Sequence, residues 1–324
     1  MRRQILALDP QSYQRHLIHG ENRIWSETNC YVDLWIELLH GYGFEPMAAL
    51  PFALGIDFEG DQWTFYKFPL ADLDALYGAD VQELNIWRTL IDHVCEQVGQ
   101  GRPVLVELDS FYLPDTAGTA YKLGHVKTTV AVNAIDLDER YLGYFHNQGY
   151  FALTDEDFVR IFHLNGLPDP HVLPPYVEFV KFRAQDKLHG AELLNASLQL
   201  LTKHLRQLPK QNPFAAFQQR LQRDVDWLMQ EPIETFHQYS FASLRQLGSC
   251  FELCATYLQW LQAQGQNNLE APTAAFLEIA NAAKTFQFQL ARAMNRKKPL
   301  DLAPIEAMGQ HWEGALGQLR RQYG

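Results

Sequence analysis

Hydrophobic patterns of both helical and strand type run through the first part of the chain. A helical pattern of apolar residues starts at Asn29 and stops at Gly41, since glycine commonly terminates helices. Residues 57–68 indicate a hairpin around a Gly-Asp turn. Residues 81–98 indicate an amphipathic helix that ends at Gly99. The N-terminal part therefore mixes the two kinds of element.

Strand patterns dominate the stretch after residue 100. The strand candidates are residues 104–108, 126–135 and 141–153. A short charged turn at residues 136–140 joins the last two, which predicts an antiparallel meander. A proline-rich stretch at residues 164–175 interrupts the pattern before a final strand-like run at residues 176–182.

Beyond residue 186 apolar residues recur at three- and four-residue spacing, which is typical of amphipathic helices. The helical segments are residues 193–208, 214–229, 241–261, 273–293 and 305–319. The sequence thus predicts an α+β protein with two domains. Residues 1–185 contain an antiparallel sheet, and residues 186–324 are all-helical.

Composition and charge narrow the class of protein. The chain is 47% hydrophobic and 20% charged, an ordinary globular balance, and its net charge of −11 argues against a nucleic-acid binder, which needs a basic surface. Residues 1–185 carry a charge of −13 and residues 186–324 carry +2. No apolar run reaches the roughly 20 residues of a membrane span, and four scattered cysteines suit a reducing compartment. We therefore expect a soluble cytoplasmic protein without membrane association.

Cys30 is the candidate nucleophile. It lies in the first turn of the predicted helix, where unpaired backbone N–H groups and the helix dipole favour the reactive thiolate. The same N–H groups, together with the side chain of Asn29, would hold the oxyanion of a tetrahedral intermediate. The alternative interpretation is a buried cysteine that only packs, as many do.

His125 is the candidate base, because it lies at the mouth of the strand pattern 126–135. A cysteine on an early helix followed by a histidine that opens a strand is the order found in papain-like enzymes. Asn147 is our preferred residue for orienting the imidazole. Neighbours along a strand point to opposite faces, so only one of His146 and Asn147 faces His125. Asp136, in the turn, is the fallback.

The loop before His125 is rich in hydroxyl and aromatic side chains and is predicted to line a pocket. Its candidate substrate-binding residues are Asp109, Tyr112, Asp115, Thr116 and Tyr121. Asp109 and Asp115 suit a substrate amine, because a carboxylate pairs with an ammonium group. The alternative is a solvated loop whose two tyrosines cover the core.

Three residues in the helical region also stand out. Arg245 lies on a largely apolar helical pattern and either pairs with a carboxylate or binds an acidic group. Cys250 and Cys254 are four residues apart and share a helix face. Two thiols without further ligands do not make a zinc site, so we expect these cysteines to pack in the core and no metal to bind.

Several sequence blocks resemble a family of bacterial proteins that is similar to the butirosin-biosynthesis acyltransferase, a papain-like cysteine acyltransferase. The blocks are residues 27–36 (ETNCYVDLWI), 108–116 (LDSFYLPDT), 125–129 (HVKTT), 144–151 (YFHNQGYF) and 241–253 (FASLRQLGSCFEL). The likeness covers most of the chain, including its helical part.

This resemblance implies a papain-like N-terminal domain and an aminoacyl transferase. Cys30 would accept an aminoacyl group from the phosphopantetheine thioester of a carrier protein, and His125 would move the proton. The implied partners are an aminoacyl carrier protein and an amino acid:carrier-protein ligase. No cofactor is bound, since the carrier supplies the phosphopantetheine arm. Lys127 joins the substrate-binding candidates, and Asn147 departs from the Asp that related enzymes more often have.

Two other functions fit the same residues. One is a cysteine peptidase or amidohydrolase that uses the same pair, and the other is a non-catalytic binding module. The helical domain would serve as a lid or as the docking surface for the carrier. Its basic candidates for docking are Lys203, Arg206, Lys210, Arg292, Arg296, Lys297 and Lys298.

Overall fold

A computed structural model describes residues 1–166, 173–183 and 187–324. The chain forms two compact units. The sheet unit comprises Met1–Gly20, Cys30–Pro46 and Leu70–Leu188, and the helical unit comprises Glu21–Asn29, Met47–Pro69 and His189–Gly324. The predicted domain boundary at residue 185 lies outside the described residues. Two early segments belong to the helical unit, which the spacing of helices along the chain did not predict.

The predicted α+β class is confirmed, with an antiparallel sheet in the N-terminal region and helices in the C-terminal region. The strands are β1 (Arg3–Gln4), β2 (Ala79–Glu83), β3 (Val104–Asp109), β4 (Lys127–Asp136), β5 (Tyr141–His146), β6 (Gly149–Thr154) and β7 (Val177–Phe182). The helices are α1 (Cys30–Gly41), α2 (Leu70–Tyr77), α3 (Leu90–Gly99), α4 (Asp155–Ile161), α5 (Gly190–Arg206), α6 (Pro213–Leu228), α7 (Ile233–Ser240), α8 (Gln246–Ala263), α9 (Glu270–Arg296) and α10 (Ala303–Tyr323).

The sheet has the strand order β2-β7-β3-β4-β5-β6. β1 pairs with the end of β4 that extends beyond its pairing with β3. Every pairing is antiparallel. The predicted meander is confirmed as β4–β5–β6, but the single strand expected over residues 141–153 is two strands. They meet at a tight turn where Asn147 adopts a left-handed φ of 45°, which Asn tolerates better than most residues.

The helix predicted over residues 81–98 is wrong in its first half. Residues up to Glu83 form β2, which pairs with β7, and α3 begins only at Leu90. Thr89 marks that start, since its side chain accepts a hydrogen bond from the Asp92 amide, which is a typical N-cap. The hairpin predicted over residues 57–68 is reduced to one bridge, between Phe58 and Trp63.

The two faces of the sheet are covered by different helices. On one face, apolar residues of β3 and β4 such as Val106 and Val130 form a core with α3 and α4. Leu108 belongs to that core. Since neighbouring side chains of a strand point to opposite faces, Asp109 at the end of β3 points to the other face of the sheet. Helix α1 packs against β4, β5 and β6 on this second face, where Gly41 lies against the Phe145 ring.

Helix α1 also carries a buried polar network. The Glu37 carboxylate accepts hydrogen bonds from the Tyr13 hydroxyl at 2.6 Å, from the His16 backbone N–H at 3.0 Å and from the His19 ring. The second nitrogen of that ring lies 3.2 Å from the carboxylate of Asp33, one turn earlier on α1. All these polar groups are buried or half-buried, so each depends on its partner in the network.

The neutral form of His16 is predicted to make folding sensitive to acid. Burial disfavours the imidazolium and, helped by His40, lowers the pKa of His16 from 6.5 to about 4. The unfolded chain therefore binds this proton more readily, so stability is intact above pH 6.5 and declines as the pH falls towards 4, by roughly 3 kcal/mol. His16 Nδ1 accepts the Ile18 backbone N–H at 3.3 Å. We expect His16→Asn, which keeps a side-chain acceptor there, to lose correspondingly less stability over this range in urea denaturation. Equal losses in the two proteins would contradict the prediction.

In the helical unit, α8 is buried on nearly all sides, as expected of a helix at the centre of a core. The Phe251 ring lies between Phe214 of α6 and Phe276 of α9, with centroid distances of 5.9 and 5.5 Å. Cys250 and Cys254 are fully buried in this core, which confirms the packing role predicted for them. Among the helices of the described residues, none combines the length and apolar character that crossing a membrane requires.

The segment 21–29, directly before α1, is fastened within the helical unit. The Glu252 carboxylate accepts the backbone N–H groups of Ile24 and Trp25 at 2.6 and 2.8 Å. The buried Trp25 indole donates to the Ala280 carbonyl at 3.0 Å. A Cβ at Gly248 would lie 2.2 Å from the indole ring, so only glycine fits there. Ile24 and Trp25 are therefore anchored to α8 and α9 within the helical unit.

Candidate active site

A histidine and an aspartate form a hydrogen-bonded pair where β3 ends and β4 begins. The His125 Nδ1 lies 2.5 Å from Asp109 Oδ2. With Nδ1–H donated to the carboxylate, the lone pair of the neutral ring is on Nε2. Nε2 has no hydrogen-bond partner among the described residues, and the His125 side chain is 67% exposed. The ring therefore presents an accessible basic nitrogen, as a general base requires.

Asp109 holds His125 in a second way as well. Its other carboxylate oxygen accepts the Phe111 backbone N–H at 3.0 Å, which caps a short 3₁₀ turn. The Phe111 ring stacks on the imidazole with a centroid distance of 4.4 Å and an interplanar angle of 12°. Tyr112 contacts the imidazole edge-on at 6.3 Å. A single carboxylate thus fixes both the ring nitrogen and the aromatic surface beneath the ring.

Cys30 is the first residue of α1, so the prediction that it lies in the first helical turn is confirmed. Its side chain is partly exposed. Since α1 covers the sheet face to which Asp109 points, Cys30 and the Asp109–His125 pair lie on the same side of the sheet.

A chain of hydrogen bonds connects the start of α1 to the cleft beside His125. The Tyr31 hydroxyl donates to Glu178 at 2.9 Å, and the Tyr176 hydroxyl donates to the other oxygen of the same carboxylate at 2.9 Å. Tyr176 in turn lines a cavity of about 410 Å³ together with Asp109 and His125. The residue after Cys30 is therefore linked through buried Glu178 to the wall of this cleft.

The residues expected to orient His125 do not do so. Asn147 lies in the β5–β6 turn and makes no side-chain hydrogen bond within the described residues, so the prediction for it is wrong. Asp136 is the last residue of β4, at the other end of the strand from Lys127. Its carboxylate accepts hydrogen bonds from the backbone N–H groups of Asp138 and Glu139. Asp109, predicted to bind a substrate amine, has the orienting position instead.

His146 belongs to a separate buried group behind the sheet. Its Nδ1 lies 2.5 Å from Asp115 Oδ2, and its Nε2 lies 2.7 Å from the Thr128 hydroxyl. Asp115 also accepts from the Tyr144 hydroxyl at 2.5 Å, and burial together with this carboxylate raises the pKa of Tyr144. Asp115 is therefore a structural anchor of the loop and not the amine-binding residue that its type and position suggested.

The remaining loop candidates have structural partners. The buried Thr116 hydroxyl donates to the loop carbonyls of Ser110 and Leu113, and Tyr121 donates to Asp157 at 2.7 Å. These contacts make the loop from Asp109 to His125 a packed segment with the pair at its two ends. The prediction that the loop lines a pocket holds for its ends, while its centre is anchored to the fold.

Lys127 is the candidate that the structure brings to the cleft. It lines the same cavity as His125, its side chain is 70% exposed, and its Nζ lies 2.6 Å from Glu107 Oε1. Its position directly opposite Asp109 in the β3–β4 ladder follows from the strand register. Among its described lining residues, the cleft therefore presents one ammonium group beside two carboxylates.

Arg245 and Asn29 belong to the helical unit. Burial lowers the pKa of the Arg245 guanidinium, and the Glu27 carboxylate acts in the opposite direction. The Asn29 amide donates to the Tyr66 carbonyl at 2.7 Å. That hydrogen bond engages the side-chain amide that was proposed from the sequence as an oxyanion donor.

The four cysteines are predicted to differ in reactivity. Burial raises the pKa of Cys95, and burial with the neighbouring Cys254 raises that of Cys250, so both thiols are poor nucleophiles at neutral pH. We expect iodoacetamide at pH 7 to modify Cys30 first, and Cys250 and Cys254 only in urea. Peptide mass mapping over time measures this order, and labelling of Cys95 as fast as Cys30 would contradict it.

Together these features define an α+β protein with a partly exposed helix-start cysteine and an Asp-oriented histidine on one sheet face. Residues 14–182 match the family model of the DUF1839 N-terminal domain, and residues 190–321 match that of the DUF1839 C-terminal domain. The chain therefore belongs to the DUF1839 family. A search of curated proteins found no match. Among the described residues, no group of three His, Cys, Asp or Glu side chains is arranged to hold a metal ion.

Proposed function

We propose that the protein is a cysteine-dependent acyltransferase with Cys30 as nucleophile, His125 as base and Asp109 as orienting residue. The observation that carries the proposal is the Asp109–His125 pair, whose accessible Nε2 lies on the sheet face covered by the helix that Cys30 begins. A thiol, an imidazole and a carboxylate in these roles form an activated nucleophile. With Asp109 as the third residue, the proposed triad has the Asp that related enzymes more often have, which Asn147 would not have provided.

The reaction has two balanced steps. In the first, the Cys30 thiolate attacks a thioester carbonyl after His125 Nε2 has taken the thiol proton, and the donor thiol leaves with that proton. In the second, an amine attacks the Cys30 thioester and gives a proton to His125, which passes it to the departing Cys30 sulfur, so an amide forms and Cys30 is released as a thiol. Exchange between two thioesters is nearly isoenergetic, so a thiol nucleophile suits a thioester donor.

An aminoacyl group on the phosphopantetheine arm of a carrier protein is the donor that fits best. Among the described residues that line the cleft, the charged ones are Glu107, paired with Lys127, and Asp109, paired with His125. A polar, charged cleft of this kind favours an acyl group with a free ammonium over a fatty acyl chain. In this proposal the carrier supplies the thioester arm, and a carrier-protein ligase loads it.

Intact-protein mass tests the proposal. The purified chain is mixed with alanyl-S-pantetheine and, separately, with an alanyl-loaded carrier protein. We expect one alanyl adduct that neutral hydroxylamine removes, absent from Cys30→Ala and retained in the matched control Cys95→Ala. No adduct with either donor, or an adduct that persists in Cys30→Ala, would refute the proposal.

The same experiment separates transfer from hydrolysis. With an added primary amine, a transferase converts the adduct to an amide, and the rate of free alanine release falls as amide forms. Release of free alanine at a rate independent of the amine would instead identify a cysteine hydrolase on the same pair of residues.

A further inference from the structure

A groove in the helical unit lies between the start of α7 and the C-terminal half of α9. Its cavity measures about 680 Å³, and its lining includes Glu231, Ile233, Phe288, Arg292 and Arg296. Phe288 is 65% exposed and Ile233 is 48% exposed. Large apolar side chains this exposed inside a concave surface are typical of a binding site, whereas scattered ones on a convex surface are not. We call this surface the α7–α9 groove.

The α9 side of the groove is strongly basic, although the whole chain carries a net charge of −11. From Ile279 to Leu300 the sequence contains five Lys and Arg residues and no Asp or Glu. Lys284 is used internally, since its Nζ lies 3.3 Å from the Ile24 carbonyl. Lys297 contacts the Met229 carbonyl and holds the corner before α7. The exposed Arg292 and Arg296 line the groove without an ion-pair partner among the described residues.

The opposite side of the groove carries the other sign. Glu231 lines it, and the exposed Glu234 follows in the first turn of α7. A polyanion such as RNA, or an anionic lipid surface, would meet repulsion from these carboxylates. A protein helix can place its own acidic side chains against α9, an apolar side chain on the floor, and a basic side chain against α7.

We infer that the α7–α9 groove binds an amphipathic helix of a partner protein, with the acidic edge of that helix along Arg292 and Arg296 and an apolar residue against Phe288. The arrangement combines an apolar centre with charged rims, which is the usual anatomy of a protein interface. This inference is independent of the chemistry at Cys30, so the groove and the acyl transfer can fail separately.

The test uses the full chain and a defined probe. The probe is a fluorescein-labelled 18-residue helical peptide with leucines on one face, glutamates along one edge and lysines along the other. Its control is a peptide of the same composition in scrambled order. We expect saturable binding of the probe in fluorescence anisotropy, weakened at least about tenfold by Phe288→Ser and by the pair Arg292→Glu and Arg296→Glu. The scrambled peptide should bind no better than these variants do.

Charge-matched controls make the test specific. The pair Arg223→Glu and Arg321→Glu changes net charge equally at two exposed positions outside the lining of the groove, and should leave binding unchanged. Circular dichroism melting checks that all variants fold. Equal binding of probe and scrambled peptide would overturn the inference. So would an equal loss in both arginine pairs, or binding of phosphatidylglycerol vesicles or transfer RNA in place of the probe.

Discussion

Replacing Asp109 with asparagine is expected to lower the rate of acyl-enzyme formation at Cys30 by roughly 10²- to 10⁴-fold, as when a triad histidine loses its carboxylate partner. Asparagine keeps an oxygen that can cap the Phe111 amide, so the loop should stay folded. Its NH₂ group would face His125 Nδ1, which favours the tautomer with the proton on Nε2. That tautomer cannot accept the Cys30 proton.

Rapid-quench mass spectrometry with alanyl-S-pantetheine measures this rate. Asn147→Ala is the matched control. The sequence favoured Asn147 as the residue that orients His125, whereas in the structure Asn147 lies in the β5–β6 turn. We expect its rate to remain within about threefold of wild type, since turn substitutions away from a site are usually mild. A loss in Asn147→Ala as large as that in Asp109→Asn would show that the Asp109–His125 geometry is not the one used in the reaction.

Replacing Glu37 with leucine is expected to destabilise the sheet unit by about 3–5 kcal/mol, because it leaves several buried partners without an acceptor. Glu37 is completely buried, and its carboxylate accepts from the Tyr13 hydroxyl, the His16 amide and the His19 ring. Leucine has a similar volume but offers no acceptor. The loss would be a large fraction of the 5–15 kcal/mol that stabilises a typical domain.

Urea denaturation followed by circular dichroism measures this loss. Glu139→Leu is the control, since Glu139 is an exposed carboxylate in the same unit and its removal should change stability by less than about 0.5 kcal/mol. The loss of stability in Glu37→Gln should lie between those of Glu37→Leu and Glu139→Leu. The glutamine amide keeps one acceptor oxygen but turns its NH₂ group towards groups that are themselves donors. Comparable midpoints for Glu37→Leu and wild type would mean that the network contributes little to folding.

The position of Asp109 could be predicted in part from the strand patterns. Residues 104–108 and 126–135 are both readable as strands, and pairing them in an antiparallel register places Asp109 opposite Lys127, two residues after His125. That pairing was a usable signal for Asp109. The hydroxyl-rich, polar character of the loop suggested substrate contacts instead, because sequence does not show that a loop folds back until its two ends meet.

Other features of the site had no such signal. Tyr31 and Glu178 are 147 residues apart and meet only because α1 crosses the sheet face to which Glu178 points. The docking of segment 21–29 in the helical unit depends on Glu252 and on the absence of a side chain at Gly248. In a sequence pattern, a glycine within a helix predicts only lower helix stability. It does not show that the ring of a tryptophan distant in sequence packs against that position.

Local periodicity and side-chain chemistry along the chain were sufficient to predict four features. These are the α+β class, the helix that starts at Cys30, the β4–β5–β6 meander and a histidine beside a strand. Each depends on residues within one or two turns or strands, where side-chain spacing fixes which face is apolar. Three other features became visible in the folded chain alone: Asp109 orients His125, His146 is buried with Asp115, and residues 21–29 belong to the helical unit. Those outcomes depend on register and long-range packing, in which partners distant in sequence compete for the same position.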